Sequence, residues 1–244
     1  MNLLLLEPDE IGADGRVRLA DRRAAHLTGV LRAAPGQPVR VGVIDGGVGT
    51  AIVTAVDERG VELRCTIDAA PPPPPRVDLL LALPRPKVMR RLWAQLSAMG
   101  VGRVLLTNAE RVERDYFDTH VLSPATYRPL LVEGLEQARD TRLPVVSIHR
   151  RFRVLVEDEL DAIAGRALRI VADPSAASRL ARVVAAAAPA RVLLAVGPEG
   201  GWNAFELDLL AARGFAPVGL GARTLRADTA CVALLALVHD ALAG

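Results

Sequence analysis

Lysine is almost missing from this 244-residue chain: Lys87 is the only one, and arginine supplies the rest of the 30 basic side chains. That bias, together with abundant alanine, has the look of coding composition. Its physical consequence is a set of forked, permanently charged donors suited to phosphate oxygens. Cysteine is scarce too. Cys65 and Cys231 have no CxxC neighbour, which excludes a disulfide framework and a structural zinc site and leaves both as core residues. No apolar run reaches about 18 residues, so no membrane-spanning helix is expected. Residues 1–6 are too short a run, and too quickly followed by acids, to act as a signal peptide, so a soluble, cytoplasmic protein is expected. A charge of one sign is also lacking: 30 basic groups against 28 acidic ones give +2, which neither demands a nucleic acid nor opposes one. What is present is ordinary globular composition, 51% hydrophobic and 24% charged, which excludes a disordered or collagen-like chain.

The run Pro71–Pro75 divides the chain. Five consecutive prolines favour stiff polyproline II and cannot enter a sheet or helix interior. The expected division is therefore a domain over 1–70, a linker over 71–76 and a second domain over 77–244. In the first, short β-type runs at 2–6, 39–44, 50–56 and 61–67 are punctuated by Gly46-Gly47 and Glu58-Arg59-Gly60, and one helix over 21–32 can be capped by Asp21. That reads as a small β-barrel or β-rich module. In the second, apolar runs at 77–83, 104–107, 145–148, 168–172 and 192–196 alternate with stretches of helical period. Such alternation predicts an α/β fold with an open parallel sheet and helices on both faces. Charge divides unevenly, net −2 over residues 1–75 and net +4 over 76–244. Arg85, Lys87, Arg90 and Arg91 form one basic cluster, and Arg139, Arg142, Arg150, Arg151 and Arg153 another. Each is either a solvated helix face or a contact for RNA.

Chemistry concentrates near the carboxyl terminus. Residues 193–206 read as a buried strand, a loop with three glycines in five residues (Gly197, Gly200, Gly201), and a helix begun by a capping box of Asn203 and Glu206. Glycines there let backbone N–H groups approach a ligand, although the same residues also make a simple chain-reversing turn. The spacing is neither GxGxxG nor GxxxxGK[ST], which sets aside a dinucleotide fingerprint and a P-loop. A second short strand at Pro217 leads into Leu220, Gly221, Arg223, Leu225, Arg226, Asp228 and Thr229 before an apolar helix. If the two strands are sheet neighbours, both loops line one crevice, the place where open α/β sheets hold ligands. The plainer reading is a helix start capped by Asp228 or Thr229.

GPEGG followed by W-x-x-x-E, then LGxRxLRxxTA about 19 residues on, closely resembles the C-terminal signature of the SPOUT methyltransferases that methylate N3 of a uridine in 16S ribosomal RNA. His26-Leu27-x-x-Val30-Leu31-Arg32 with Pro35-Gly36 resembles that family's PUA-like N-terminal module, and Glu136-Gln137 with Pro144 its central segment. The chain differs at Gln95, Ala98, Arg139-Asp140 and Asp228, where the family tends to show Lys, Glu, Gly-Arg and Glu. The resemblance implies a PUA-like β-barrel followed by an α/β domain whose C-terminal part is threaded as a trefoil knot. It further implies bound S-adenosylmethionine, held by Val196, Gly197, Pro198, Glu199, Gly200, Gly201, Leu220, Gly221, Leu225 and Thr229. Arg32, Arg85, Lys87, Arg139 and Arg142 are the RNA-facing candidates. The implied protein is a homodimer acting on ribosomal RNA or the small ribosomal subunit, with no metal and no membrane partner. A different RNA acceptor, or an RNA-binding assembly protein without catalysis, remain the alternatives.

The implied reaction constrains roles. Methyl transfer needs a nucleophile aligned opposite the leaving sulfur, so positioning supplies much of the rate. A uracil N3 carries a proton at neutral pH, so a base, or a cation facing the developing anion, has to help. Arg226 is the expected catalytic residue in the second role; permanent protonation bars it from the first. Glu199 and Asp228 are the nearby carboxylates open to act as base.

Overall fold

The computed structural model describes residues 2–221, 223 and 225–243. They form two compact units, one of the described residues up to 74 with 132–143, the other of 75–131 with the described residues from 144 on. Ala222 and Thr224, inside the second glycine-bearing loop, lie outside the described residues.

The first unit is a mixed five-stranded sheet. Strands β1 (Leu4–Leu6), β2 (Arg16–Leu19), β3 (Pro38–Val43), β4 (Val48–Asp57) and β5 (Gly60–Ile67) lie in the order β1-β3-β4-β5-β2. β1 pairs parallel with β3, and the remaining pairs are antiparallel. β2 is absent from the sequence reading. Its four residues alternate, with Val17 and Leu19 buried and Arg16 and Arg18 outward, where Arg18 meets Asp57 and Glu62 at 3.1 Å. Four residues are too few for a period to stand out. Helix α1 (Arg22–Gly29) starts where Asp21 accepts the Arg23 N–H at 2.8 Å, as the capping argument expects, and it buries Ala24 and Leu27. Residues 132–143 belong here because Leu135 joins Leu3, Leu5 and Ile44 in a small core, while the buried Thr141 donates its hydroxyl to the Gly46 carbonyl at 2.6 Å. Glu136, also buried, takes a two-pronged bond from Arg22 at 3.1 and 3.3 Å.

The second unit carries six parallel strands: β6 (Val77–Ala82), β7 (Val101–Thr107), β8 (Val145–His149), β9 (Leu168–Ala172), β10 (Val192–Val196) and β11 (Ala216–Val218). Their order is β11-β9-β10-β6-β7-β8. Every residue of β6 and β10 is buried, the signature of central strands covered on both faces. The charged exception, Asp78 in β6, is held by both Nε and Nη2 of Arg191 at 2.6 Å, which satisfies a carboxylate that would otherwise be costly to bury. The helices of this unit are α2 (Pro86–Ala98), the first half of α3 (Pro124–Ala138), whose residues from 132 on belong to the first unit, α4 (Phe152–Val154) leading through a π-turn at Leu155–Glu159 into α5 (Leu160–Ala164), α6 (Leu180–Ala187), α7 (Ala204–Ala212) and α8 (Ala227–Ala243). α8 packs on α2 and α6. α2 buries Met89, Leu92, Trp93 and Leu96 on one face, and the Trp93 indole N–H donates to the Val121 carbonyl at 3.1 Å.

Candidate functional site

The carboxyl ends of β9, β10 and β11 open onto one cleft. β10 and β11 are not neighbours, contrary to the condition the sequence set: β9 lies between them, and its end, Ala172–Pro174, joins the two loops. A hollow of about 290 Å³ is lined by Val196, Gly197, Pro198, Glu199, Gly200 and Gly201, with Trp202 and Leu225. A smaller one of about 70 Å³ is lined by Val218, Leu220, Gly221, Arg223 and Leu225. Leu225, Ala230 and Ala172–Pro174 line both. Nine of the ten expected cofactor residues thus lie on these walls. Thr229 is on neither lining; it is exposed in the first turn of α8, where its N–H donates to the Asp228 carboxylate at 2.9 Å. Asp173 was missed, because the strand end that carries it has no glycine to mark it.

Several contacts fix the shape of the first loop. Gly201 donates to the Pro198 carbonyl at 2.8 Å and has φ +75°, a backbone region suited to glycine. A Cβ on Gly197 would stand 3.1 Å from the Trp202 ring. Arg111, just after β7, lies against Gly200 and donates to its carbonyl. The Asn203–Glu206 capping box forms as expected: Asn203 Oδ1 accepts the Glu206 N–H, and Glu206 Oε2 the Asn203 N–H, each at 2.8 Å. The other Glu206 oxygen accepts the Glu110 N–H at 2.7 Å, so this buried carboxylate ties the start of α7 to the β7 loop.

The charged residues are differently placed. Glu199 accepts the backbone N–H of Arg85 at 3.3 Å, at the positive end of α2. Asp228 pairs with Arg91 at 2.8 Å, and that bond holds its carboxyl below the usual aspartate range. Neither Asp228 nor Thr229 caps α8 from outside; the helix already includes both. Arg226 stands between Leu225 and Ala227, which line the larger hollow, but its own side chain is exposed and has no partner among the described residues. Cys231, buried one turn into α8, has its thiol pushed up to about 12 by burial, so it stays protonated and inert.

Of the RNA-facing candidates, Arg85 and Lys87 are exposed at the start of α2 in the second unit, and Arg32 and Arg139 are exposed in the first. Arg32 and Arg139 both have left-handed backbone, φ +50° and +61°. Arg142 is partly buried and donates to the Pro72 carbonyl at 2.8 Å. Among the described residues no group of His, Cys, Asp or Glu is arranged to hold a metal ion, and no helix is long and apolar enough to cross a membrane.

The walls suit an adenosyl sulfonium. The two hollows together reach the low end of the roughly 300–1,000 Å³ usual for small-molecule sites. Their linings combine glycine backbone with apolar side chains, and the buried Trp202 Nε1–H on the wall has no partner among the described residues. A family model described as an RNA methyltransferase domain matches residues 71–239. "Ribosomal RNA small subunit methyltransferase E" of Treponema pallidum is 30% identical over 98% of this chain and 90% of its own length. The protein of that name from Synechocystis is 30% identical over 98% of this chain and 77% of its own. In three dimensions the chain is similar to a Neisseria gonorrhoeae ribosomal RNA small subunit methyltransferase E solved with S-adenosyl methionine, with a TM-score of 0.78, 22% identity, and coverage of 98% of this chain and 97% of that one. With the family model matched over most of the chain and two relatives 30% identical over 98% of it, this chain belongs to the RNA methyltransferase domain family.

Proposed function

We propose that the protein transfers a methyl group from S-adenosylmethionine to N3 of a uridine in 16S ribosomal RNA. The observation that carries this reading is the meeting of three loops, from β9, β10 and β11, around one glycine-lined cleft. In it, Val196–Gly201, Leu220, Gly221 and Leu225 would hold the donor, and the unpartnered indole N–H of Trp202 offers a hydrogen bond to it. When bound, S-adenosylmethionine supplies an electrophilic methyl group; the chain supplies alignment and charge. Arg226, exposed and with no internal partner among the described residues, would supply the cation that meets the anion growing on uracil as N3 loses its proton. Asp228, lowered by Arg91, is a weak proton acceptor. Glu199, bound to a helix N-terminus, has one oxygen already engaged. Release of the N3 proton to water beside Arg226 fits these constraints better than either carboxylate.

A trefoil knot accords with the strand order. β11 follows β10 in sequence but pairs beyond it with β9, and the Gly219 N–H donates to the Ser178 carbonyl at 2.9 Å, which brings the chain after β11 beside the loop after β9. The mixed sheet of the first unit serves in this reading as a PUA-like module that grips RNA, with Arg32 and Arg139 as phosphate contacts. The active form is a homodimer in the cytoplasm.

The test incubates the purified protein with S-adenosylmethionine and unmethylated small subunits, then maps modified nucleotides by mass spectrometry. One 3-methyluridine in 16S RNA is expected. A methyl group on another atom or RNA would change the acceptor, and no methyl transfer despite donor binding would leave an RNA-binding assembly protein.

A further inference from the structure

Beside the donor cleft, the second unit holds another hollow, of about 380 Å³, which the proposed methyl transfer does not use. Its wall includes Asn108 and Glu110 after β7, Arg114, Phe152 and Arg153, and Phe205 in the first turn of α7. The segment 197–206 separates the two: its glycines face the donor cleft, and its last residues, Asn203, Phe205 and Glu206, line the second hollow.

The side chains there divide into occupied and unoccupied groups. Asn203 and Glu206 are engaged in the capping box, and Arg153 is paired with Glu157 at 2.7 Å. Among the described residues the Glu110 carboxylate, the Arg114 guanidinium and the Phe205 ring have no partner. Phe205 is 58% exposed, in a protein with only four phenylalanines, and the other aromatic residue on this wall, Phe152, is 8% exposed and packed on Trp202 at 5.3 Å. On the rim of a polar hollow, an exposed ring offers a face on which a flat ligand can stack.

We propose that this hollow is a subsite for an unpaired guanine of the RNA, next to the nucleotide that is methylated. The inference rests on the functional reading given above. Single-stranded RNA is recognised by stacking splayed bases on aromatic rings and bonding their Watson–Crick edges. Phe205 supplies the stacking face, and Arg114 a cation for an adjoining phosphate. The Glu110 carboxylate offers two acceptor oxygens side by side. Guanine is the base whose Watson–Crick edge presents two adjacent donors, N1–H and N2–H; uracil offers one donor between two acceptors, and adenine and cytosine pair an amine with an acceptor. A carboxylate therefore satisfies guanine twice and the others at most once.

The experiment measures binding of short single-stranded RNAs, an all-uridine pentamer and the same pentamer with a central guanosine, adenosine or cytidine. It uses the wild-type chain, Glu110→Gln, Phe205→Ala and Phe205→Trp, with calorimetry of S-adenosylmethionine on each preparation. The guanosine pentamer is expected to bind about 10-fold tighter than the others, on the order of one well-made bidentate base contact. Glu110→Gln is expected to erase that preference. Phe205→Ala is expected to weaken guanosine binding by about 10-fold or more, as loss of base stacking does, and Phe205→Trp to restore it. All variants should bind S-adenosylmethionine like wild type, which also shows that they fold. A wild-type protein that binds the donor but shows no preference among the pentamers, or a Glu110→Gln variant that keeps the preference, overturns the subsite alone. Selection of guanosine by a protein that does not bind the donor overturns the methyltransfer reading and leaves the subsite standing.

Discussion

Two residues near the carboxyl terminus separate chemistry from packing. Arg226 lines neither hollow, although both of its chain neighbours line the larger one, so its removal leaves the donor walls intact. Arg226→Ala is therefore expected to keep its calorimetric affinity for S-adenosylmethionine while turnover falls by about 100-fold or more, the scale of losing one preorganised charge contact. Equal turnover would take Arg226 out of the chemistry. Gly219, between the wall residues Val218 and Leu220, tests how tightly the backbone beside the cleft is packed. A Cβ there would come within 2.7 Å of the Ala176 carbonyl oxygen, a main-chain atom that cannot swing aside, whereas a Cβ on Gly200 would meet the side chain of Arg111 at 2.8 Å, which can. Gly219→Ala should lower unfolding stability by about 1–3 kcal/mol in urea titrations, with Gly200→Ala costing less. The reverse ranking would mean that the loop after β9 is softer than its contacts imply. At this scale the sequence was informative. The glycines, Leu220 and Leu225 stood out through spacing and resemblance, and the capping box through its Asn203–Glu206 interval. Asp173 and Glu110 did not, since a carboxylate at a strand end has no local pattern, and what gives it meaning is a neighbour far along the chain.

Among the elements, α8 carries a pH signal. His239 lies half-buried on it beside Gly100, its Nε2 has no partner among the described residues, and burial holds its pKa below the usual histidine value. The unfolded chain thus takes up the proton first. Stability is full above the unfolded value of about 6.5 and is lost as pH falls from there through the folded value. Urea midpoints should drop between pH 7.5 and 5.5, and His239→Gln should shrink that drop; an unchanged drop would place the acid sensitivity elsewhere. The strands were legible because parallel strands buried on both faces read as apolar runs, unbroken in β10 and interrupted in β6 only by Asp78. β2 escaped because its arginines alternate with only two apolar residues. The order β11-β9-β10 escaped for a different reason. Runs and periods say which residues form strands, but neighbours in a parallel sheet are chosen by crossovers, and those leave no local mark.

Across the whole molecule, charge is nearly balanced at +2, so RNA affinity has to come from local clusters and not from a global field. Several arginines of the expected clusters are already committed: Arg91 to Asp228, Arg142 to the Pro72 carbonyl, Arg150 to Asp118 and Arg153 to Glu157. If Arg32, Arg85, Lys87 and Arg139 make four single-strand phosphate contacts, affinity should fall about 50-fold between 50 and 200 mM salt. A flat response in filter binding would remove them as contacts. The proline run suggested a single cut through the chain, and residues 132–143 show why composition alone misplaces such boundaries: Leu135 and Thr141 are written far from the β3–β4 turn they complete. The same long-range construction governs the donor cleft. Its walls draw on the ends of β9, β10 and β11 and on the first turn of α8, so the final wall is made of residues translated after every strand of the sheet. A chain cut before Leu225 would keep all six strands while its larger hollow lost the wall formed by Leu225, Ala227 and Ala230.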